Sequence, residues 1–329
     1  MPTFTALRVS KQDKTFSMAV ESQETADLPA GDLLIKVHYS SLNYKDALSA
    51  SGNPGVTRNF PHTPGIDAAG VIESSDDPRF AAGDAVIVTG YDLGMNTPGG
   101  LGGYIRVPAD WAVPLPEGLS LRESMIIGTA GLTAALCLLK LEMMELKPGG
   151  RVVVSGASGG VGSFAVALLA KLGYQAVAST GSPYAADWLK ARGAAEIIDR
   201  SVLAKADPRP MAAGQWDGAI DTVGGDTLGN IIKELNYGAS VAVVGLVGGT
   251  GIPVTVFPFI LRDVNLLGVD SVEISHARRV ETWGKLATNW KLDDLEGLAS
   301  EIGLEDVPGY LEGLLKGTVR GRTLVNLNA

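Results

Sequence analysis

The chain has 329 residues, of which 46% are hydrophobic, so it is long enough and apolar enough for two domains. Its formal net charge of −9 argues against nucleic acid or an anionic membrane as the main partner. A single cysteine excludes an internal disulfide and favours a reducing, cytoplasmic compartment. The amino terminus has no apolar signal core, and no charge-free apolar run long enough to span a membrane is evident apart from a glycine-punctuated strand–helix pair.

The first 120 or so residues follow a pattern of short strands separated by glycine and proline turns. The alternation of apolar and polar residues predicts strands at Leu33–Ser40, Ala69–Glu73 and Asp84–Thr89. The segment Pro114–Gly118 then marks a junction, and from about Ser120 helical and strand patterns alternate. A β-rich domain is therefore expected to precede an α/β domain.

The alternating part begins with a predicted helix at Thr129–Leu141. Strands alternating with helices predict a doubly wound parallel sheet. Helices are then expected at Ser275–Trp290 and Val307–Lys316, and a last strand at Arg322–Leu327 is expected to return to the amino-terminal domain. The strands predicted for the parallel sheet are Arg151–Ser155, Gln175–Ala178, Glu196–Ile198, Gly218–Asp221, Ser240–Gly245 and Val264–Val269.

A glycine-rich turn joins the first of these strands to an apolar helix, with Gly156, Gly159 and Gly162 three residues apart. Glycines let a backbone approach a pyrophosphate, and the helix amino terminus then faces the phosphates. This context predicts a dinucleotide site; the alternative is a tight turn that only lets the helix pack closely on the sheet. The residues expected to form the phosphate turn are Ser158, Gly159, Gly160 and Val161.

The next strand predicts which dinucleotide is bound. An NAD site usually has an acidic residue at the end of this strand, whereas here hydroxyl residues and a glycine follow Ala178. This composition favours NADPH, although Ser182 is also a reasonable helix N-cap before Pro183. The residues expected around the 2′-phosphate are Thr180, Gly181, Ser182 and Arg200.

Several motifs resemble, in order and spacing, those of the medium-chain dehydrogenase/reductase superfamily. They are Asn43–Asp46, Pro64–Gly70, Ala82–Val86, Gly149–Gly162 and Asp221–Gly224. Within it the chain is similar to the zinc-free quinone oxidoreductase branch, whose characterised members are NADPH-dependent acryloyl-CoA reductases. The segments with the look of that branch are Asn59–Pro61, Asp77–Phe80, Met125–Gly131, Asn236–Gly238, Pro258–Arg262 and Gly268–Val272.

The resemblance implies a GroES-like catalytic domain formed by residues 1–124 and 271–329 and a Rossmann NADPH-binding domain formed by residues 125–270. It also implies a homodimer formed through the edge of the Rossmann sheet, near residues 264–269. By the same resemblance, further cofactor contacts come from Tyr44, Leu246, Ile260, Ser271 and Asn328.

No set of zinc ligands can be assembled from the sequence. The chain has one cysteine, Cys137, in an apolar helical segment, and three histidines, of which His62 has no thiolate near it in sequence. We therefore expect no bound metal. Without a Lewis acid, a C=C bond conjugated to a carbonyl is an easier hydride acceptor than a simple carbonyl.

Two residues are candidates for the chemistry. Tyr44 is the candidate hydrogen-bond donor to a developing enolate, and its alternative role is packing. Asp67, in a glycine-bounded apolar segment, is either catalytic or satisfied structurally by backbone N–H groups. Arg322 is either a pyrophosphate contact or a solvated arginine at a strand edge.

Together these features predict NADPH-dependent reduction of a short 2-enoyl-CoA, with acryloyl-CoA as the first substrate. The alternative within the enzyme class is a quinone or enone reductase. The alternative of another class is an NADPH-binding structural or regulatory protein with vestigial activity.

Overall fold

A computed structural model describes residues 2–328 of the chain. The helices are α1 Tyr44–Ala50, α2 Leu121–Met143, α3 Gly160–Lys171, α4 Ala186–Ala191, α5 Ser201–Ala204, α6 Gly225–Glu234, α7 Phe257–Arg262, α8 His276–Ala287 and α9 Val307–Lys316. The strands are β1 Thr3–Gln12, β2 Thr15–Glu24, β3 Leu33–Ser41, β4 Asp67–Ser75, β5 Ala85–Thr89, β6 Tyr104–Val107, β7 Ala112–Pro114, β8 Arg151–Val154, β9 Gln175–Thr180, β10 Glu196–Asp199, β11 Trp216–Asp221, β12 Leu235–Val243, β13 Asn265–Gly268, β14 Ala299–Ile302 and β15 Arg322–Asn326.

The chain divides into two compact units. The first unit contains the residues up to Thr129, then Val272–Thr288 and the residues from Asp293 onward. The second unit contains Ala130–Ser271 and Asn289–Leu292. These divisions lie a few residues from the boundaries proposed from the sequence at 124/125 and 270/271.

The first unit is built on a mixed sheet of order β14-β15-β3-β4-β5-β7, with β6 also pairing with β3 and with β1 and β2 forming a separate hairpin. Leu33, Ile35 and Val37 recur every second residue along β3, and all three are buried in one apolar cluster. The last strand, β15, pairs antiparallel with β3. The predicted return of the chain's end to the amino-terminal domain is therefore confirmed.

The second unit is a parallel sheet of order β10-β9-β8-β11-β12-β13. Counted from β8, this is the order 3-2-1-4-5-6 of the Rossmann fold, so the predicted doubly wound sheet is confirmed. Its central strands are buried on both faces and carry apolar residues such as Val153, Val177, Ala219 and Val241. The carboxyl ends of β8, β9, β11 and β12 consequently meet at the same edge of the sheet.

Helix α2 is longer than the predicted Thr129–Leu141 because a second helical segment precedes it and joins it at a kink. Gly128 lies at the kink with φ 50° and ψ −161°, which is outside the helical region. By length and composition this helix could span a membrane, but 89% of its most apolar window is buried inside the protein. That degree of burial is typical of a core helix.

Other elements also differ from the sequence prediction; strand β12, for example, begins at Leu235 and not at Ser240. Helix α8 ends at Ala287 rather than Trp290, because Thr288 leaves the helical region with φ −122° and ψ −106°. The hairpin of β1 and β2 was not predicted; many of its residues are exposed, so its apolar signal is weak.

Candidate functional site

The glycine turn after β8 forms the amino terminus of α3, as the sequence predicted. Helix α3 starts at Gly160 with Gly159 as its N-cap, and no described side chain caps this end. Gly156 has φ 58°, and a Cβ on Gly162 would lie 2.8 Å from the Cα of Ala157. A side chain would therefore fill the turn. The first N–H groups of a helix have no acceptor within the helix, so this end of α3 fits a dinucleotide pyrophosphate.

The residues predicted around a 2′-phosphate lie together after β9. The hydroxyl of Thr180 donates to Ser158 Oγ over 3.2 Å and accepts from the N–H of Ser182 over 3.1 Å. The guanidinium of Arg200 lies against Gly181, where a Cβ would be 2.9 Å from Arg200 Cζ. A side chain at residue 181 would therefore displace the guanidinium of Arg200. Hydroxyls, a backbone N–H and a guanidinium at one corner suit a phosphate dianion.

Strand β10 pairs with β9, and the only carboxylate at its end in the described sheet, that of Asp199, is already hydrogen-bonded. Asp199 pairs in register with Thr180, and its Oδ1 accepts from the N–H of Ser201 over 2.8 Å. These bonds with Ser201, together with the charge of Arg200, lower the pKa of Asp199. The carboxylate therefore caps α5, and the ribose-binding acid of an NAD site is missing from the end of β9 itself.

Ser182 holds the N-cap position of the short 3₁₀ helix Pro183–Ala185, with Pro183 at its first position. Its side chain makes no cap hydrogen bond. Both interpretations of this residue drawn from the sequence are therefore compatible with the structure.

Three other predicted cofactor residues lie in the second unit. Leu246 and Ile260 are exposed apolar side chains, at 59% and 67%. The Ser271 hydroxyl accepts a hydrogen bond from Thr133 Oγ1 over 2.8 Å. Their contacts with a cofactor stay predictions.

In the first unit, Tyr44 is the first residue of α1 and is 39% exposed. The carboxylate of Asp46 accepts from the N–H of Asn43 over 2.8 Å, as in a capping box, and from the N–H of Ile66 over 2.9 Å. The start of the helix is therefore fixed, and the ring of Tyr44 projects from a rigid turn. The catalytic and cofactor roles of Tyr44 stay predictions.

Asp67 is fully buried and accepts several hydrogen bonds. Its carboxylate accepts from Ser41 Oγ over 2.7 Å, from Asn43 Nδ2 over 2.7 Å and from both the N–H and the hydroxyl of Thr129. These contacts connect the turn before Tyr44 to the kink in α2. They support a positioning role for Asp67. Side chains supply most of the donors, whereas backbone N–H groups were expected from the sequence. The catalytic role of Asp67 stays a prediction.

Arg322 is 2% exposed, so its interpretation as a solvated strand-edge arginine is wrong. Its guanidinium lies 3.6 Å from Asp67 Oδ2 and donates to the carbonyls of Leu42 and Ile126. Sequence reasoning missed this pairing because the two residues are far apart in the chain. Desolvation and the nearby Asp67 raise the pKa of Asp46 to about 7 in the same network.

Asn328 also belongs to the first unit. Its amide nitrogen donates to the carbonyl of His38 over 3.1 Å and to Asn326 Oδ1 over 3.0 Å. Neither hydrogen bond tests the predicted contact of Asn328 with a cofactor.

Among residues 2–328, no group of three His, Cys, Asp or Glu side chains could hold a metal ion. His62 is buried with Nε2 2.9 Å from the carbonyl oxygen of Gly94. Cys137 is buried, and desolvation raises the pKa of its thiol. These donors do not converge on one position.

Two protein-family models match the chain. An alcohol dehydrogenase GroES-like domain matches residues 29–117, and a zinc-binding dehydrogenase domain matches residues 160–287. The second name describes the family; in the described part of this chain the ligands for zinc are not assembled.

AcuI of Ruegeria pomeroyi, an acrylyl-CoA reductase, is 46% identical over 329 residues, covering 99% of this chain and 100% of that protein. YhfP of Bacillus subtilis, named as a quinone oxidoreductase, is 47% identical over 326 residues, covering 98% and 99%. The structure of YhfP with NAD bound matches with a TM-score of 0.96, covering 99% and 100%. The YhdH oxidoreductase of Salmonella enterica in complex with NADP matches with a TM-score of 0.96 at 48% identity, covering 98% and 100%.

The relatives match along nearly their whole length, in sequence and in fold. The chain therefore belongs to the medium-chain dehydrogenase/reductase superfamily, in the branch that contains AcuI, YhdH and YhfP.

Proposed function

We propose that this protein reduces the activated C=C bond of a short 2-enoyl-CoA, most specifically acryloyl-CoA to propanoyl-CoA, with NADPH as cofactor. The observation that carries the proposal is the corner after β9, where Arg200 lies against Gly181, Thr180 donates to Ser158 Oγ, and no acid ends the strand. The similarity to AcuI along the whole chain supports the choice of substrate.

Each unit contributes a separate part of the chemistry. When bound, NADPH supplies a hydride to the β-carbon of the enoyl thioester. The residues proposed to hold its phosphates are Ser158–Val161 for the pyrophosphate and Thr180–Ser182 with Arg200 for the 2′-phosphate. Leu246 and Ile260 are proposed to line the nicotinamide side, with Ser271 and Asn328 as polar contacts.

Tyr44 is proposed to stabilise negative charge on the thioester oxygen. A hydroxyl on a rigid turn is an effective donor because no reorganisation is needed as charge develops. The fixed start of α1 gives Tyr44 such a turn. Asp67, whose carboxylate already accepts from Ser41, Asn43 and Thr129, is proposed to position this turn.

The reaction is proposed to need no zinc. The donor set supports this, since Cys137 is buried in a helix and His62 faces a backbone carbonyl. We expect full activity in the presence of a chelator. About one zinc ion per chain by elemental analysis, lost together with activity, would contradict this part of the proposal.

Two alternatives remain part of the test. The relationship to YhfP supports a quinone or enone reductase, and its NAD-bound structure makes NADH the competing cofactor. The third possibility is an NADPH-binding structural or regulatory protein with vestigial activity.

The test is NADPH oxidation followed side by side with acryloyl-CoA, a naphthoquinone and no acceptor. We expect the highest kcat/KM with acryloyl-CoA, and we expect the Tyr44→Phe variant to lower it. One oxyanion donor is worth about 2.7–4 kcal/mol in a desolvated site, and the exposure of Tyr44 makes the loss smaller. A higher kcat/KM with the quinone would favour the alternative enzyme, and no oxidation with either acceptor would favour the binding protein.

We also propose a cytoplasmic homodimer. Strand β13 is an edge of the described parallel sheet, and an apolar surface lies beside it. Its exposed side chains are Val256, Phe257, Leu261 and Leu266. Apolar surface next to an open strand edge favours a second copy. Light scattering after gel filtration should give twice the mass of the chain, and a Leu261→Asp variant should give the monomer mass.

A further inference from the structure

Asp221 is a buried carboxylate that the proposed reaction does not use. It is the last residue of β11 and is 0% exposed. Its Oδ1 accepts from the hydroxyl of Ser155 over 2.6 Å, and its Oδ2 accepts from the N–H of Gly224 over 2.7 Å. Asp221 thus connects the end of β8 to the loop that follows β11. Burial raises the pKa of this carboxyl group, while these hydrogen bonds oppose the shift.

On one side, this loop supports the phosphate turn. The N–H of Thr222 donates to Ser155 Oγ over 2.9 Å, and its hydroxyl donates to the carbonyl of Ser155 over 2.9 Å. A Cβ on Gly156 would overlap that same hydroxyl. The start of the turn therefore rests directly on Thr222.

On the other side, the loop fastens the segment Gly245–Gly249. The N–H of Gly248 donates to the carbonyl of Val223 over 2.7 Å, and Gly224 and Gly249 form a parallel bridge. A Cβ on Gly245 would overlap the backbone of Thr222. The backbone of this segment is held closely, while the side chain of Leu246 within it is 59% exposed.

We propose that Asp221 is a positioning residue. It holds Leu246, on the segment Gly245–Gly249, at a fixed distance from the phosphate turn. This distance orients the nicotinamide for hydride transfer. This inference rests on the proposed function, in which the phosphate turn holds one end of NADPH and Leu246 lies beside the other. The side chain of Asp221 joins the loops after β8 and β11, and its carbonyl accepts from the N–H of Val244 after β12. These contacts lie at the carboxyl edge of the sheet, where nucleotides bind in this fold.

The expected effect on the reaction is large because hydride transfer depends strongly on geometry. A misplacement of about 1 Å can lower a rate by roughly 100-fold. An Asp221→Asn substitution keeps the size of the side chain but replaces one acceptor oxygen by a donor. Either the contact with Gly224 or the contacts with Ser155 and the N–H of Val223 must then be lost or rearranged. Ser155→Ala is the second variant, because it removes the hydroxyl that links Asp221 to Thr222.

The control is Asp217→Asn, on the same strand. Asp217 is exposed at the opposite end of β11, where it accepts from the N–H of Arg151 and from the amide of Asn236, each over 2.8 Å. It thus makes two comparable hydrogen bonds far from the nucleotide-binding edge. A change shared by Asp217→Asn and Asp221→Asn would reflect only the loss of a carboxylate from β11.

Three quantities are measured for each variant: the affinity for 2′,5′-ADP, the fluorescence of bound NADPH, and the single-turnover rate of hydride transfer to acryloyl-CoA with ordinary and 4-deuterated NADPH. For Asp221→Asn and Ser155→Ala we expect 2′,5′-ADP affinity within about twofold of wild type and a rate at least about tenfold lower. We also expect less enhanced nicotinamide fluorescence and a full isotope effect.

The proposal is overturned if Asp221→Asn matches Asp217→Asn in rate and fluorescence. It is also overturned if 2′,5′-ADP affinity falls in parallel with the rate, since Asp221 would then support the whole sheet edge. If the proposed function is wrong, the result is different, because the wild-type protein would not reduce acryloyl-CoA. The variants could then still be compared by the fluorescence of bound NADPH.

Discussion

At the scale of single residues, Arg200 is the residue that we propose to decide the choice of cofactor. Its guanidinium lies against Gly181, the residue that follows Thr180, and the carboxylate of Asp199 is engaged with Ser201. A 2′-phosphate would therefore meet a cation and hydroxyl donors. NADH, which lacks this phosphate, would gain little from them.

We predict that Arg200→Ala weakens NADPH binding at least about tenfold, or roughly 1.4 kcal/mol, and leaves NADH binding nearly unchanged. Fluorescence titration with both cofactors measures this. Arg209→Ala is the control, because Arg209 is an exposed arginine of the same unit paired with Asp207. Equal losses for NADPH and NADH would show that Arg200 supports the fold of this corner and not the phosphate.

Asp46 gives a prediction about pH. Its pKa in the folded protein is raised to about 7 by burial and by Asp67, above the ordinary value of 3.8. The folded state therefore binds the proton more tightly than the unfolded state does. The resulting stabilisation is fully present below the ordinary pKa and is lost as pH rises through about 7.

We expect the urea midpoint of wild type to decrease as the pH rises from 5 to about 8, relative to the midpoint of Asp46→Asn. The variant does not show this decrease because its side chain at residue 46 cannot ionise. Urea denaturation at a series of pH values measures the difference between the two proteins. Parallel curves would mean that Asp46 keeps an ordinary pKa in the folded protein.

At the scale of elements, the kink in α2 matters because it creates room for the charged network of the first unit. A Cβ on Gly128 would lie 2.6 Å from Arg322 Nη2, 2.6 Å from Asp67 Oδ2 and 2.6 Å from Ser41 Oγ. The residue also has φ 50°, which side chains other than glycine rarely adopt. The kink is therefore fixed both by conformation and by packing.

We predict that Gly128→Ala lowers the melting temperature clearly, through backbone strain and displacement of this network. The matched control is Gly284→Ala in α8, where a Cβ would meet nothing within 4 Å. That change should stabilise by about 0.5–1 kcal/mol, since alanine is favoured in a helix interior. Calorimetry on both variants tests the contrast, and equal melting temperatures would contradict it.

At the scale of the whole molecule, distant parts of the chain meet at the buried pair of Asp67 and Arg322. Arg322 begins β15, the strand by which the chain's end returns to β3. Both side chains are buried, at 0% and 2% exposure. The ion pair therefore helps to join the carboxyl-terminal strand to the first unit.

We predict that Arg322→Leu destabilises the protein by about 3–5 kcal/mol, because it leaves the carboxylate of Asp67 buried without its cation. Arg122→Leu is the comparison: Arg122 is a partly exposed arginine of the same unit that pairs with Glu301. A surface pair of this kind is worth about 0–1 kcal/mol. Denaturant unfolding should separate the two variants, and similar small losses would show that the buried pair contributes little.

The sequence alone determined the fold class, the parallel sheet and the phosphate turn. These depend on local signals: apolar runs, glycines at a strand–helix junction and the residues directly after β9. Hydrophobic periodicity and backbone freedom act over a few residues, so a chain shows them before it folds. The corner at Thr180 and Arg200 could also be predicted, because Thr180 ends one strand and Arg200 directly follows the adjacent strand of the same sheet.

Only the tertiary structure decided the surroundings of Arg322, Asp67 and Asp221. Each is a charged residue whose partners come from other segments, such as Ser41 and Thr129 for Asp67 and Ser155 for Asp221. Burial of a charge is governed by which donors the fold brings within hydrogen-bond distance, and no local pattern records it. The sequence therefore located the glycine turn before α3, while the fold determined which carboxylates hold the surrounding loops in place.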